Sequence, residues 1–342
     1  MKQNRALWAD ILRILSMFFV VFIHVSPLPS AFTFYTLIDY INFAIVKSCI
    51  ALFFMISGAL LLGKEEAYTT FFQKRFFKVI FPWIFWTVIY TVIQGMIDCK
   101  TVRTIPQWKH LFELTLFTRF WILPVLVGLY LVTPLLRIFF KHAAMKDNYY
   151  VLLISFIFLS LLPTLHDGST FPIGFPAGIF SQIMMCGAFF VEGYILTTLP
   201  KKKFSFLQCI SLVGVGVLLT ILLSIYHVQE VDRFAYSMFS PGLVFIATGL
   251  FMTIRLVDPF FEKYSERTKH SIRAISVASF GVYLIHEAVH MSFRYLLLTS
   301  HMTYLLRSDL FIEYIRTIII YSLSTAIILL IQRIPYVKRI VP

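Results

Sequence analysis

Charge is scarce in this chain. Of its 342 residues only 14% are Asp, Glu, Lys or Arg, and 59% are apolar. A soluble domain of this length needs a far richer polar coat, so one or two ordinary soluble domains are excluded. A disordered chain is excluded as well, because disorder needs few apolar residues. Cysteine is also sparse, with four residues and no C-x-x-C pair. That excludes a disulfide-rich secreted module and leaves Cys49, Cys186 and Cys209 as small hydrophobes within apolar runs, with Cys99 near a helix end. There is no internal repeat, no low-complexity linker and no Gly-rich phosphate loop. The missing loop argues against an ATP-driven pump.

What the chain has instead is apolar length. It carries 37 Phe and a net charge of +13, with a mean hydropathy of +0.82. The cations sit between long apolar runs, not in polar patches, so the implied partner is a lipid bilayer and no nucleic acid is expected. The runs lack the alternation of a β-barrel, which leaves helices. The expected fold is all-α: a polytopic membrane protein forming one domain over residues 1–342. It has ten spans, at 7–27, 40–63, 76–98, 120–140, 150–166, 173–198, 205–227, 239–257, 275–299 and 309–333. The sixth is broken near its start by Pro172 and Pro176. The first is expected to be retained, because Asp10 and Arg13 interrupt it and no small-x-small cleavage site follows His24.

The cations then orient the spans. With the N-terminus inside, twenty of the 30 Lys and Arg fall on inner segments, from Lys2 and Arg5 to Lys338 and Arg339. Six fall on outer loops (Lys100, Arg103, Lys109, Arg119, Arg233, Arg307) and four within spans (Arg13, Lys47, Arg294, Arg316). The positive-inside rule therefore places both termini in the cytoplasm. The outer loop 99–119 is long enough to fold as a re-entrant or interfacial segment.

Ionisable residues inside spans are costly and mark sites or pairs. Arg13 and His24 are eleven residues apart, which returns them to within about 20° of one helix face and separates them by about 16 Å along the axis. Asp10 lies one turn before Arg13, within pairing reach. Alone, Arg13 would snorkel to headgroups and His24 would bond a neighbouring helix. On one stripe they suggest a site, with a cation for an anionic donor at one end and an imidazole suited to take a hydroxyl proton at the other. Lys74, Arg75 and Lys78 form a second cluster, readable either as a topology signal or as a phosphate site. Later in the chain Tyr283, His286 and His290 share one side of a span. The His pair has no acidic or Cys ligands to join it, so no metal is expected. Glu192 and Glu287 each need a cation or a proton. Arg294 and Arg316 are available for this, although Arg316 can instead pair with Glu313.

Several motifs occur in a telling order. Arg13-x10-His24, with Arg5 and Asp10 before it, opens the chain. Phe53-Phe54-Met55-Ile56-Ser57-Gly58 follows, then the basic run from Phe71 through Lys74, Arg75 and Lys78 to Pro82-Trp83. Trp121-Ile122-Leu123-Pro124 leads to Gly128-Leu129-Tyr130-Leu131 and Thr133-Pro134-Leu135. Ser279-Phe280-Gly281-Val282-Tyr283-Leu284-Ile285-His286 comes late. Together these resemble the acyltransferase-3 family of integral membrane O-acyltransferases, in its stand-alone O-acetyltransferase-like form. The chain departs from that pattern with Arg119-Phe120 before the Trp and Glu287 after His286.

The resemblance implies transfer of an acyl group, most often acetyl, from cytoplasmic acetyl-coenzyme A or another short acyl-coenzyme A. The acceptor is a hydroxyl of an envelope glycan or lipid-linked sugar, and the setting is a bacterial cytoplasmic membrane. His24 is then the general base, with Arg13 as the second catalytic residue. Arg13, Lys74, Arg75 and Lys78 hold the coenzyme, and Trp121, Tyr130, Tyr283, His286 and Glu287 line the substrate path. A homo-oligomer is compatible with this reading. The rival is a transporter or flippase of a lipid-linked sugar or small solute, which ten spans and broken helices also suit.

Overall fold

The computed structural model describes residues 6–26, 36–101, 107–165, 179–226, 239–300, 302–306 and 309–342, and among them there is no strand. In chain order the helices are α1 (Leu7–Val25), α2 (Leu37–Leu61, turning at Ser48), α3 (Tyr68–Cys99), α4 (Trp108–Leu114), α5 (Ile122–His142) and α6 (Met145–Thr164). They continue with α7 (Ile179–Thr198), α8 (Phe206–Ile225), α9 (Pro241–Leu256), α10 (Asp258–Phe261), α11 (Glu266–Thr299) and α12 (Leu310–Ile331). Nine of these are long and apolar enough to cross a membrane, and the shorter apolar α9 lies where the eighth span is expected. The protein is an all-α polytopic membrane protein. Pro172, Pro176, Lys2, Arg5, Arg103, Arg233 and Arg307 lie outside the described residues.

Helix α1 occupies the centre and packs against α2, α11 and α12. Its backbone starts under a borrowed cap, as the Trp8 N–H donates to Asp258 Oδ1 at 3.2 Å. Helix α11 begins earlier than the apolar run predicts. Ser265 caps its first turn by accepting from the Thr268 N–H, and polar residues continue the helix beyond the apolar core. The pair α2 and α7 is packed backbone to backbone. A Cβ on Gly58 would meet the Phe190 carbonyl, and one on Gly193 would meet the Met55 backbone. Small residues allow this approach where lipid gives no hydrophobic drive between helices.

Prolines shape two spans in the same way. A π-helical turn over Phe76–Ile80 precedes Pro82, and another over Ile157–Leu161 precedes Pro163. Proline has no N–H to give and its ring crowds the carbonyl four residues back, so widening the turn relieves the clash. A third π turn, Thr115–Arg119, follows α4. The expected outer loop 99–119 is thus partly helical, and α4 folds back onto α3, with Trp108 closing over Gly95.

Candidate functional site

Two cavities lie end to end along α1. The first, about 340 Å³, is lined by Arg13, Ser16, Met17 and Val20 of α1, with Lys78, Tyr130, Ser276 and Tyr283 from other helices. The second, about 550 Å³, is lined by Val20 and His24 of α1, with Tyr90, Arg119, Trp121, Tyr283, His286 and Glu287. Val20, Ile50, Ile122 and Tyr283 line both and form the wall between them. The stripe from Arg13 through Ser16, Val20 and His24 is the i, i+3, i+7, i+11 face expected of one helix side.

Arg13 is held in place. Its guanidinium lies 3.7 Å from Asp10 Oδ1 and donates to Ser276 Oγ at 3.1 Å, while Ser276 donates to Asp10 Oδ1 at 2.6 Å. Asp10 is buried, so its charge needs these partners. The Arg13 side chain stays 27% exposed, enough to present a face to the cavity.

The basic cluster is divided by the π turn. Lys78 lies within that turn and reaches the Arg13 cavity. Arg75 stacks over Phe71 at 4.8 Å and Tyr130 at 5.7 Å, in a neighbouring groove. Lys74 instead pairs with Glu66. That hydrogen bond holds the Glu66 carboxyl below its ordinary value. Of the four expected coenzyme residues, the structure therefore brings Arg13 and Lys78 to one cavity, places Arg75 in the neighbouring groove and pairs Lys74 with Glu66. Among the five expected substrate residues, Trp121, His286 and Glu287 join His24. Tyr130 stands with Arg13, and Tyr283 stands in the shared wall.

His24 is exposed to its cavity, whereas His286 is 4% exposed, and their ring centroids are 5.0 Å apart. Glu287 pairs with Arg119 at 2.7 Å, not with Arg294 or Arg316. Arg316 lies one turn from Glu313, and both are buried. Glu192 finds a neutral partner, accepting from the Thr248 hydroxyl. Among the described residues no three His, Cys, Asp or Glu side chains gather as a metal site would need.

Sequence reasoning missed Tyr90. Its hydroxyl donates to the Leu284 carbonyl at 3.0 Å and accepts from the Ala288 N–H at 3.2 Å. Those two groups would otherwise bond each other within α11, so Tyr90 inserts into the helical ladder beside His286 and Glu287. Arg119 stacks over the Tyr90 ring at 4.7 Å. The signal was present: Tyr90, Gln94 and Asp98 recur every four residues along an apolar helix, and all three line the His24 cavity.

These helices and cavities define a membrane protein with charged and polar groups gathered inside its bundle, an arrangement that marks function because charge is costly there. The family profile described as an acyltransferase domain, that of the acyltransferase-3 family, matches residues 6–333. The chain belongs to the acyltransferase-3 family of membrane acyltransferases. No curated protein and no solved structure matches it.

Proposed function

We propose that the protein transfers a short acyl group, acetyl in the first instance, from coenzyme A to a hydroxyl of an envelope sugar or glycan. The observation that carries this reading is the pair of cavities meeting along α1, with Arg13 in one and His24 in the other. Coenzyme A is a polyanion with a long neutral arm ending in the thioester. Its phosphates suit Arg13 and Lys78, with Arg75 and Lys74 close by, at the end taken to face the cytoplasm. The arm then reaches past Tyr283 towards His24.

In the His24 cavity the imidazole acts as general base on the acceptor hydroxyl. The acceptor oxygen attacks the thioester carbonyl, its proton passes to His24, and the thiolate leaves. The acceptor lies among Trp121, Tyr90, Arg119 and Glu287. With Arg119 and Glu287 paired, the chamber wall is close to neutral there, which suits a hydroxyl-rich acceptor. The setting is a bacterial cytoplasmic membrane.

The test is incubation of purified protein with labelled acetyl-coenzyme A and an envelope-glycan extract, comparing wild type with His24→Ala. Label in a glycan with wild type, and none with a folded His24→Ala variant that still binds coenzyme A, is the expected result. Normal transfer by that variant would overturn the role of His24. Wild-type protein that neither binds nor consumes the thioester would overturn the reaction itself.

A further inference from the structure

His286 is buried, and its hydrogen bonds fix its tautomer. Nδ1 lies 2.8 Å from the Tyr283 carbonyl and 3.2 Å from that of Val282. Carbonyl oxygens only accept, so Nδ1 carries the ring proton and donates it. In the neutral ring Nε2 is then a bare lone pair, able only to accept. That atom is buried and, among the described residues, has no hydrogen-bond partner. A buried polar atom left unsatisfied is costly and calls for an explanation. A neighbour able to answer it is His24, whose ring centroid is 5.0 Å away, a separation at which ring nitrogens come within hydrogen-bond reach when they point at one another. Such contacts often tighten only when substrate is bound.

We propose that His286 is a positioning residue for His24: its Nε2 accepts a hydrogen bond from one ring N–H of His24 and so leaves the other nitrogen bare and aimed at the acceptor. This rests on His24 being the base. In the transfer step the acceptor O–H bond breaks and an O–acyl bond forms while the C–S bond breaks. The proton goes to His24 and then to the departing thiolate, giving the free thiol of coenzyme A. His286 keeps its own proton throughout. Its contribution is to fix the reactive tautomer and to hold the His24 imidazolium by a charge-assisted hydrogen bond. The backbone carbonyls of α11 thereby orient the base on α1, and Tyr90 braces that same turn of α11.

The test uses full-length protein in detergent and measures kcat, KM for acetyl-coenzyme A and the pH dependence of kcat. The charged and titratable groups acting on His24 are Glu287, Lys47 and Arg119, and those acting on His286 are His24 and His290, so all five residues besides His286 stay intact. His286→Ala should lower kcat by about 10- to 100-fold, the worth of one hydrogen bond to a charged group. It should leave KM unchanged and move the limb of the pH profile that reports the base. His286→Gln, whose amide oxygen can accept where Nε2 does, should recover most of kcat. Coenzyme A binding by both variants verifies folding.

A His286→Ala enzyme with wild-type kcat and pH profile would overturn the proposal while leaving His24 as base. So would a His286→Gln enzyme as slow as His286→Ala, which would make His286 a proton carrier or a packing group. Full activity of His24→Ala, by contrast, would remove the underlying reading and the proposal with it.

Discussion

The ion pair between Arg119 and Glu287 offers the sharpest energetic test of the site. At 2.7 Å, two unit charges attract by roughly 6 kcal/mol at an effective dielectric of 20, before desolvation is charged against them. Removing one partner of a fully buried pair costs about 3–5 kcal/mol. Here the side chains retain 21% and 26% exposure, so water screens part of that attraction. A coupling of about 2 kcal/mol follows once the buried-pair figure is discounted for that exposure. The perturbation is a cycle of Glu287→Gln, Arg119→Met and the double variant, with unfolding followed by denaturant titration in a fixed detergent. Arg119→Met should cost more than Glu287→Gln, because Arg119 also stacks over Tyr90, a contact worth about 0.5–1 kcal/mol. The double variant should be less destabilised than the sum of the two singles. If the losses add to within about 0.5 kcal/mol, the pair is not coupled and the reasoning fails.

Three further outcomes follow from the packing and the polar contacts. Gly58→Ala and Gly193→Ala should each destabilise the α2–α7 pair by about 1–3 kcal/mol or more through overpacking, read as a lower melting temperature; unchanged melting would contradict the close approach. Arg255 donates to the carbonyls of Leu196 at 2.6 Å, Thr197 at 2.8 Å and Leu199 at 3.0 Å, closing the end of α7. Arg255→Lys keeps the charge but cannot span three acceptors, so it should cost about 1–3 kcal/mol, and wild-type stability in that variant would count against the cap. Because the Glu66 carboxyl titrates lower in the folded protein than unfolded, its pair with Lys74 stabilises above the usual carboxylate range and fades as pH falls through the folded value. Glu66→Gln should therefore be less stable than wild type at neutral pH, by less than about 1 kcal/mol for so exposed a pair, and converge with it in acid; a gap that widens in acid would refute the sign.

The span pattern was readable because a bilayer imposes length and apolarity on each helix, and the α1 stripe was readable because it depends on one helix's periodicity alone. The partners of buried charges were not. Glu287 had Arg294 on its own helix and Arg316 on the next as candidates, yet its partner is Arg119, delivered by a segment that folds back over Gly95. Tyr90 escaped notice because its role arises only where two helices touch. The basic residues read as topology proved to have local work as well. Arg137 donates to the Leu61 carbonyl at 3.0 and 2.8 Å, ending α2 as Arg255 ends α7. The cluster at Lys74–Lys78 looked like one site, but a π turn demanded by Pro82 sends its members in different directions.

The wall of Val20, Ile50, Ile122 and Tyr283 has an electrical consequence. Where water-filled cavities approach from the two ends of a membrane helix, the voltage no longer falls across the roughly 30 Å of hydrocarbon but concentrates over the few side chains between them. Each elementary charge moved through the full potential exchanges about 2.3 kcal/mol per 100 mV. On the proposed reaction, a neutral thioester arm would thread such a layer without electrical work, while every phosphate behind it would meet the whole step. In the proposed reaction, a partition this thin would sort one end of the coenzyme from the other by charge.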